Sequence, residues 1–439
     1  MRIEIHGSEL AAATAAAALS WVGHQVRWVP HETMRWPELQ AADWLRREPD
    51  LLDRLEEGLE QGTLRLANGE GSAGGADARI DILWLALSPE QREEAGDLAA
   101  KVAGRQDGAL VLVNNSTFPV GETERLEVRL GGNGRRAVAL VDMIEEGRAW
   151  DSFTRPGRWL LGCDDERAEA QVREVLRAFN RRRDVMQLMP RRAAELTKLA
   201  TIGMLATRIS YMNEIAGLAD SLGVDVEYVR QGMGADSRIG YEYLYPGCGF
   251  GGPHFSRDLM RLADVQVAIG RHSALLEQVL DINEQKKETL FRKLWTHFHG
   301  QLEGRTVAIW GAAFKPGSAR IDHAPVLTLL RALWAQGVRV QLHDPAATPA
   351  LRAEVGEHPL LTLFDGDPYA ACENADALIL VTEWKHYWNP DWPRLSSTLR
   401  EKLLLDGRNI YDPAHVADWG LVYRGIGRRA EPPERTSSR

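Results

Sequence analysis

Twice in this 439-residue chain a short β-rich run stops on a glycine and gives way to a helical pattern: Arg2-Ile-Glu-Ile-His-Gly7 and Arg305-Thr-Val-Ala-Ile-Trp-Gly311. A buried strand that ends on a glycine turn and feeds a helix opens a nucleotide-binding half, since the glycine lets backbone N–H groups approach a phosphate at the helix start. The repetition constrains the chain to an α/β architecture with such a unit at each end, a loose internal duplication.

The pattern between the two openings completes the outline. Arg2–Ile5, Gln25–Val29, Ile80–Leu87 and Ala109–Val113 read as short buried strands. Ala11–Val22, Asp50–Gln61 and Glu90–Val102 alternate with them at helical spacing, which implies a parallel, doubly wound sheet. Asn68–Gly75 is too glycine-rich for regular structure and reads as a loop. From Arg191 to Leu290 the pattern becomes long helices, Glu195–Leu222 and Ser256–Lys287, a block suited to a hinge and a subunit interface. After Gly304 strands return at Arg305–Trp310, Val338–Leu342 and Ala377–Val381. The expected organisation is a Rossmann-like domain over 1–188, a central helical domain over 189–300, a second Rossmann-like domain over 301–428 and a disordered tail over 429–439.

Charge and composition exclude several function classes. A formal net charge of -9 argues against a general nucleic-acid binder, which needs a cationic face. Three scattered cysteines, Cys163, Cys248 and Cys372, make neither a disulfide framework nor a zinc site, which fits a reducing cytoplasm. No apolar run reaches the length of a membrane span, and the alanine-rich Leu10–Leu19 follows a strand and reads as a first helix rather than a signal segment. Of the 14 tryptophans, Trp84 and Trp310 read as core, whereas Trp384, Trp388 and Trp392 cluster on an expected loop.

The most informative segment is Pro246-Gly-Cys-Gly-Phe-Gly-Gly-Pro-His-Phe-Ser-Arg-Asp258, with four glycines in seven residues opening into a helix. Alone it reads equally as a plain glycine-rich turn or as an anion cradle. Together with Asp236-Ser-Arg-Ile-Gly240, Glu195-Leu-Thr-Lys198, Ile209-Ser-Tyr-Met-Asn-Glu214, Ser116-Thr-Phe-Pro-Val-Gly121, Gly311-Ala-Ala-Phe-Lys-Pro316, Thr382-Glu-Trp384, Asp406-Gly-Arg-Asn-Ile-Tyr-Asp-Pro413 and Gly425-Ile-Gly-Arg428, it resembles the UDP-glucose/GDP-mannose dehydrogenase family along nearly the whole chain. The resemblance implies two Rossmann-like domains joined by a central helical dimerisation domain. It also implies NAD in the first, a UDP- or GDP-linked sugar in the last, and oxidation of the sugar C6 hydroxymethyl to a carboxylate through a cysteine thiohemiacetal, in polysaccharide biosynthesis.

Carried over residue by residue, the resemblance assigns catalysis to Lys198, Asp258, Thr117 and Glu146, and puts His254 where the nucleophilic cysteine belongs. Imidazole serves acid–base chemistry but not the covalent step that a thiolate performs. Cys248 lies across the glycine loop and does not substitute. Ile202 replaces an asparagine that polarises the reacting oxygen, Asp142 shortens a glutamate, and Arg257 replaces a lysine. Substrate binding falls on Arg238, Gly249, Phe250, Gly251, Gly252, Lys315 and Arg408.

The cofactor fingerprint falls on Gly7, Ser8 and Ala12, with Glu9 at its second glycine. A carboxylate ~4 Å from a pyrophosphate at an effective dielectric of ~20 opposes binding by roughly 4 kcal/mol. Pro30 stands where the ribose-binding acid belongs, and Asp322 where the last domain's motif has an arginine. The first expectation is therefore a pseudoenzyme that keeps a nucleotide-sugar or partner-binding role. The alternatives are an NAD-dependent oxidoreductase of altered chemistry using His254, and a structural subunit that pairs with an active paralogue in place of a homodimer.

Overall fold

In a computed structural model the structure describes residues 1–31, 34–67, 79–105, 107–181, 183–271 and 273–430, with every side chain among them except His254 and Ala268. The described chain divides into two compact units, Met1–Thr201 and Ile202–Arg439.

The first unit is an eight-stranded sheet. Its strands are β1 (Arg2–His6), β2 (Gln25–Val29), β3 (Leu64–Leu66), β4 (Ile82–Leu85), β5 (Val111–Asn114), β6 (Arg136–Leu140), β7 (Trp159–Gly162) and β8 (Met186–Met189). They run in the order β3-β2-β1-β4-β5-β6-β7-β8, parallel except where β7 turns back against β6. The switch point between β1 and β4 is where doubly wound sheets open a ligand crevice. The helix Leu10–Trp21 lies over this sheet with Ala12 to Leu19 all buried, and small alanines allow it to approach closely. The loop expected at Asn68–Gly75 lies outside the described residues.

β1 departs from the expected all-apolar strand. Ile3 and Ile5 enter the core beneath the first helix, while Glu4 and His6 are buried on the other face. Glu4 accepts from His6 Nε2 at 2.8 Å, Arg27 Nη1 at 2.7 Å and Arg105 Nη1 at 3.3 Å. Burial pushes its pKa up, but the His6 hydrogen bond and the charges of His6, Arg27 and Arg105 outweigh it and hold the carboxyl at about 2.

The second unit holds β9 (Thr306–Trp310), β10 (Arg339–His343), β11 (Leu361–Phe364), β12 (Ala377–Leu380), β13 (Leu403–Asp406), β14 (Val422–Gly425) and β15 (Arg429–Ala430), in the order β11-β10-β9-β12-β13-β14-β15. All pairs are parallel except β14–β15. Arg429 and Ala430, expected in a disordered tail, thus form an edge strand, and residues 431–439 lie outside the description. The long helix Arg191–Leu222 begins four residues earlier than its expected start at Glu195. The single stretch expected over Ser256–Lys287 is two helices, Pro253–Ala268 and Ala274–Lys287, broken around Gly270 at φ +74°.

The helical segment is not a layer apart from the second sheet. Met212, Ala216, Val226, Leu290 and Leu294 share one hydrophobic core with Val307, Ile309 and Val340. The Gly425-Ile-Gly-Arg428 motif locks this arrangement: Gly427 O accepts from Val226 N at 2.9 Å, and Arg428 Nε reaches both Asp225 oxygens at 2.9 and 3.1 Å. Trp84 and Trp310 are core residues as expected, and Trp392 is also buried, against Tyr411. Trp388 alone of its cluster is largely exposed.

A carboxyl held low stabilises the fold above its unfolded pKa of 4.5, and that contribution disappears as pH falls through about 2. Wild type should exceed Glu4→Gln in unfolding free energy by about 3 kcal/mol at neutral pH. Urea titrations at successive pH values should show the gap closing between pH 4.5 and 2.

Candidate functional site

In the first unit the candidate groups lie at the carboxyl ends of β1, β5 and β6. Gly7 ends β1 at φ +141°, and a Cβ there would lie 2.0 Å from Ala86 O and 3.0 Å from the Ala12 Cβ. Gly7 and Ala12 therefore play the packing part of a dinucleotide turn. Ser8 Oγ accepts from His31 N at 2.6 Å and ties the turn to the end of β2. Pro30 is buried there, and Trp28 Nε1 donates to Gly7 O at 2.8 Å. Glu9 is exposed at the N-cap of the first helix and its side chain makes no capping bond.

Thr117 follows β5 and Glu146 follows β6, both half-buried. Lys198 comes from the long helix, donates from Nζ to the Asp142 carbonyl, and sits 4.0 Å from the Asp142 carboxylate. One turn earlier Glu195 accepts from Gly121 N at 2.6 Å and from Thr123 N and Oγ1 at 2.9 and 2.6 Å. Glu195 is thus the N-terminal cap of the helix Glu122–Leu130, a structural role for a residue quoted in the catalytic motif.

In the second unit the glycine-rich segment is a built loop rather than a free turn. Asn283, buried on the helix Ala274–Lys287, accepts from Phe250 N at 2.8 Å and donates to Phe250 O at 3.1 Å. Asn213 Oδ1 accepts from Gly247 N at 2.8 Å, Cys248 N donates to Gly407 O at 2.9 Å, and Gly252 N donates to Asp322 O at 2.7 Å. Gly251 passes so close to His323 O that a Cβ would lie 2.6 Å away. Phe314, beside Lys315, faces Gly252 across the same loop.

Arg408 Nη1 donates to Gly249 O at 3.1 Å and Nε to Val381 O at 2.8 Å, with Glu383 3.2 Å away. Of the residues that the resemblance assigns to substrate binding, Arg408 meets the Gly249–Gly252 loop directly, and Lys315 lies over the ring of Phe314, which faces Gly252. Arg238 differs: it is exposed and bound bidentately to Asp236 at 2.6 and 3.0 Å.

Asp322, where an arginine was expected, pairs with Arg320 at 3.0 Å. Ile202 joins the apolar cluster of Phe250, Leu259 and Leu276, so packing accounts for its side chain. Asp258 is buried with Arg257 Nε at 3.5 Å and Arg261 Nη1 at 3.9 Å. His254 occupies the second position of the helix Pro253–Ala268, and its side chain lies outside the description. Cys248 is fully buried, and burial pushes its thiol up. Among the described residues no group of three or more His, Cys, Asp or Glu could hold a metal ion, and no helix is long and apolar enough to cross a membrane.

The glycine turn after β9 is closed by the protein itself. Asp344 Oδ2 accepts from Ala312 N at 2.6 Å and Ala313 N at 3.0 Å, and its Oδ1 takes Ala346 N and Ala347 N at 2.7 Å each. An anion on that turn would meet a carboxylate already in place. Sequence reasoning missed Asp344 and Asn283, and named Asn213 only within the Ile209-Ser-Tyr-Met-Asn-Glu214 motif. Asn283 carried a signal, a polar residue beside Leu280 and Ile282 on a helix otherwise packed on one face.

Comparison with known proteins decides the lineage. Residues 192–285 match the model of the UDP-glucose/GDP-mannose dehydrogenase family, central domain, and 308–413 its UDP binding domain. A UDP-glucose 6-dehydrogenase of Pseudomonas aeruginosa is 40% identical over 98% of both chains. The chain belongs to the UDP-glucose/GDP-mannose dehydrogenase family. A UDP-glucose 6-dehydrogenase of Rhizobium meliloti is 30% identical over 98% of this chain and all of that one. A solved UDP-glucose dehydrogenase from Pyrobaculum islandicum superposes with a TM-score of 0.83 at 26% identity, over 97% of each chain.

Within this family member, Asn283→Ala would leave the Phe250 N–H and carbonyl buried without partners. Each orphaned group costs about 1–3 kcal/mol, so denaturant unfolding should show a loss of about 2–6 kcal/mol, whereas a surface change such as Gln285→Ala should show almost none.

Proposed function

We propose that this chain is a nucleotide-sugar-binding member of the family in which the four-electron oxidation is lost. The Gly247–Gly252 loop carries the reading: Asn213, Asn283 and Arg408 hold its backbone in a fixed shape before any ligand arrives. A loop already held in one conformation meets a ligand without a further ordering cost. His254 in the cysteine position and Ile202 in the apolar cluster support the loss of the covalent step.

NAD fits the first turn poorly. Ser8 is engaged with His31, Pro30 is buried without an acceptor, and Glu9 stands at the helix start with no partner that caps it. No step is derived through the dinucleotide. Calorimetric titration should give binding of UDP-glucose and none of NAD at the same protein concentration. Steady NADH production from UDP-glucose would overturn the proposal.

A second reading rests on the Lys198–Asp142 pair and the uncapped first helix, which retain a polar reacting end and an anion-ready terminus. In it the chain is an oxidoreductase that moves two electrons and uses His254 as acid–base group. Its expectation is a turnover, found by substrate screening, that His254→Ala and Lys198→Ala each abolish.

The proposal extends to a homodimer through the central helices. Met204, Tyr211, Leu218 and Leu222 are each at least half exposed and recur at seven, seven and four residues along one helix, a continuous apolar stripe. Light scattering on the wild type should give twice the chain mass. Tyr211→Glu with Leu218→Glu should halve it, and association only with a second, active paralogue would replace the homodimer reading.

A further inference from the structure

Glu383 follows β12 in the second unit. Its Oε2 is buried, accepts no hydrogen bond among the described residues, and lies 3.2 Å from Arg408 Nε. That nitrogen does not donate to it, because its N–H goes to Val381 O at 2.8 Å. A buried carboxylate oxygen without a donor carries a cost that folds ordinarily avoid. Asp406, the other carboxylate beside Arg408, shows the ordinary arrangement. Its oxygens accept from Arg408 N at 2.9 Å, Tyr411 N at 3.1 Å and the Tyr423 hydroxyl at 3.0 Å.

Arg408 does not need Glu383 to stay in place. Two carbonyls fix the guanidinium, Val381 O on Nε and Gly249 O on Nη1. Nη2 donates to no group among the described residues, and 15% of the side chain remains exposed. The segment that carries Glu383 is itself fastened. Thr382 Oγ1 donates to Ala313 O at 2.5 Å, Trp384 Nε1 to Asp344 Oδ2 at 3.1 Å, and Trp388 Nε1 to the Glu383 carbonyl at 3.0 Å. What the carboxylate brings to Arg408 is therefore charge and not geometry. Two opposite charges this close cancel much of each other's field at a third group.

We propose that Glu383 is a counter-charge that weakens the hold of Arg408 on the phosphates of a nucleotide. It leaves Nη2 as a hydrogen-bond donor with little net charge behind it, and so keeps the affinity of the Gly247–Gly252 loop for a nucleoside diphosphate low. This rests on the nucleotide-sugar reading above, and every group in it belongs to the second unit.

Calorimetry with UDP and with UDP-glucose on the full chain tests the role. Glu383→Gln keeps the size of the side chain and removes its charge; Glu383→Ala removes both. Each variant should bind UDP about tenfold more tightly than wild type, and UDP-glucose, which shares the diphosphate, should gain by the same factor. The gain should shrink as salt rises, because it is electrostatic. A merely structural residue would act in the other direction, since damage to the loop weakens binding.

Wild type that binds either ligand, joined to equal or weaker binding in the variants, overturns the counter-charge role. So does a gain that salt leaves unchanged, or loss of the native fold in both variants, which would make Glu383 a structural group. Binding by the variants alone supports the role in a stronger form. If none of the three proteins binds UDP or UDP-glucose, the nucleotide-sugar reading itself falls, and this role with it.

Discussion

The second unit depends on one side-chain amide. Asn283 meets both polar groups of the Phe250 backbone, so a glycine-rich segment with high chain entropy is held in one conformation from within a helix. Around that grip the rest falls into place: Asn213 takes Gly247, the Asp322 carbonyl takes Gly252, and Arg408 spans Gly249 and Val381. The glycines are required because His323 and Phe314 press against the loop, and the loop stays ordered because polar side chains replace the packing that Cβ atoms would give.

The two glycine turns that open the sheets have opposite electrostatics. After β9 the protein's own Asp344 fills the turn with four backbone donors and leaves no room for a second anion. After β1 the helix start is uncapped, yet Glu9 stands over it and Ser8 is engaged with His31. One turn has been converted to structure and the other has lost its neutrality, which is why the Gly247–Gly252 loop is the strongest candidate for ligand recognition.

Strands carrying a continuous apolar run, such as Ile82–Leu85, or a run into glycine, such as Thr306–Trp310, were legible because burial on both faces writes itself into composition. Met186–Met189 and Leu361–Phe364 were not, since each is short and only partly buried, and its strand character comes from a neighbour already in the sheet. Glu4 was hidden for the opposite reason: a carboxylate in a strand looks like a surface residue until Arg27 and Arg105 arrive from elsewhere in the chain. At the candidate site the Gly247–Gly252 loop was legible through the motifs that carry the family resemblance. Its support Asn283 was not, because a buried polar residue is explained only by the distant backbone group it satisfies.

The clasp between Arg428 and Asp225 joins residues 203 positions apart. During synthesis Asp225 and Val226 therefore meet these partners only once Gly427 and Arg428 have been added. The amino-terminal unit is under no such constraint and can mature while its successor is still emerging. A ribosome that stalls after β13 would release a chain whose first half is native and whose second half still exposes the surface that β14 and β15 were meant to cover.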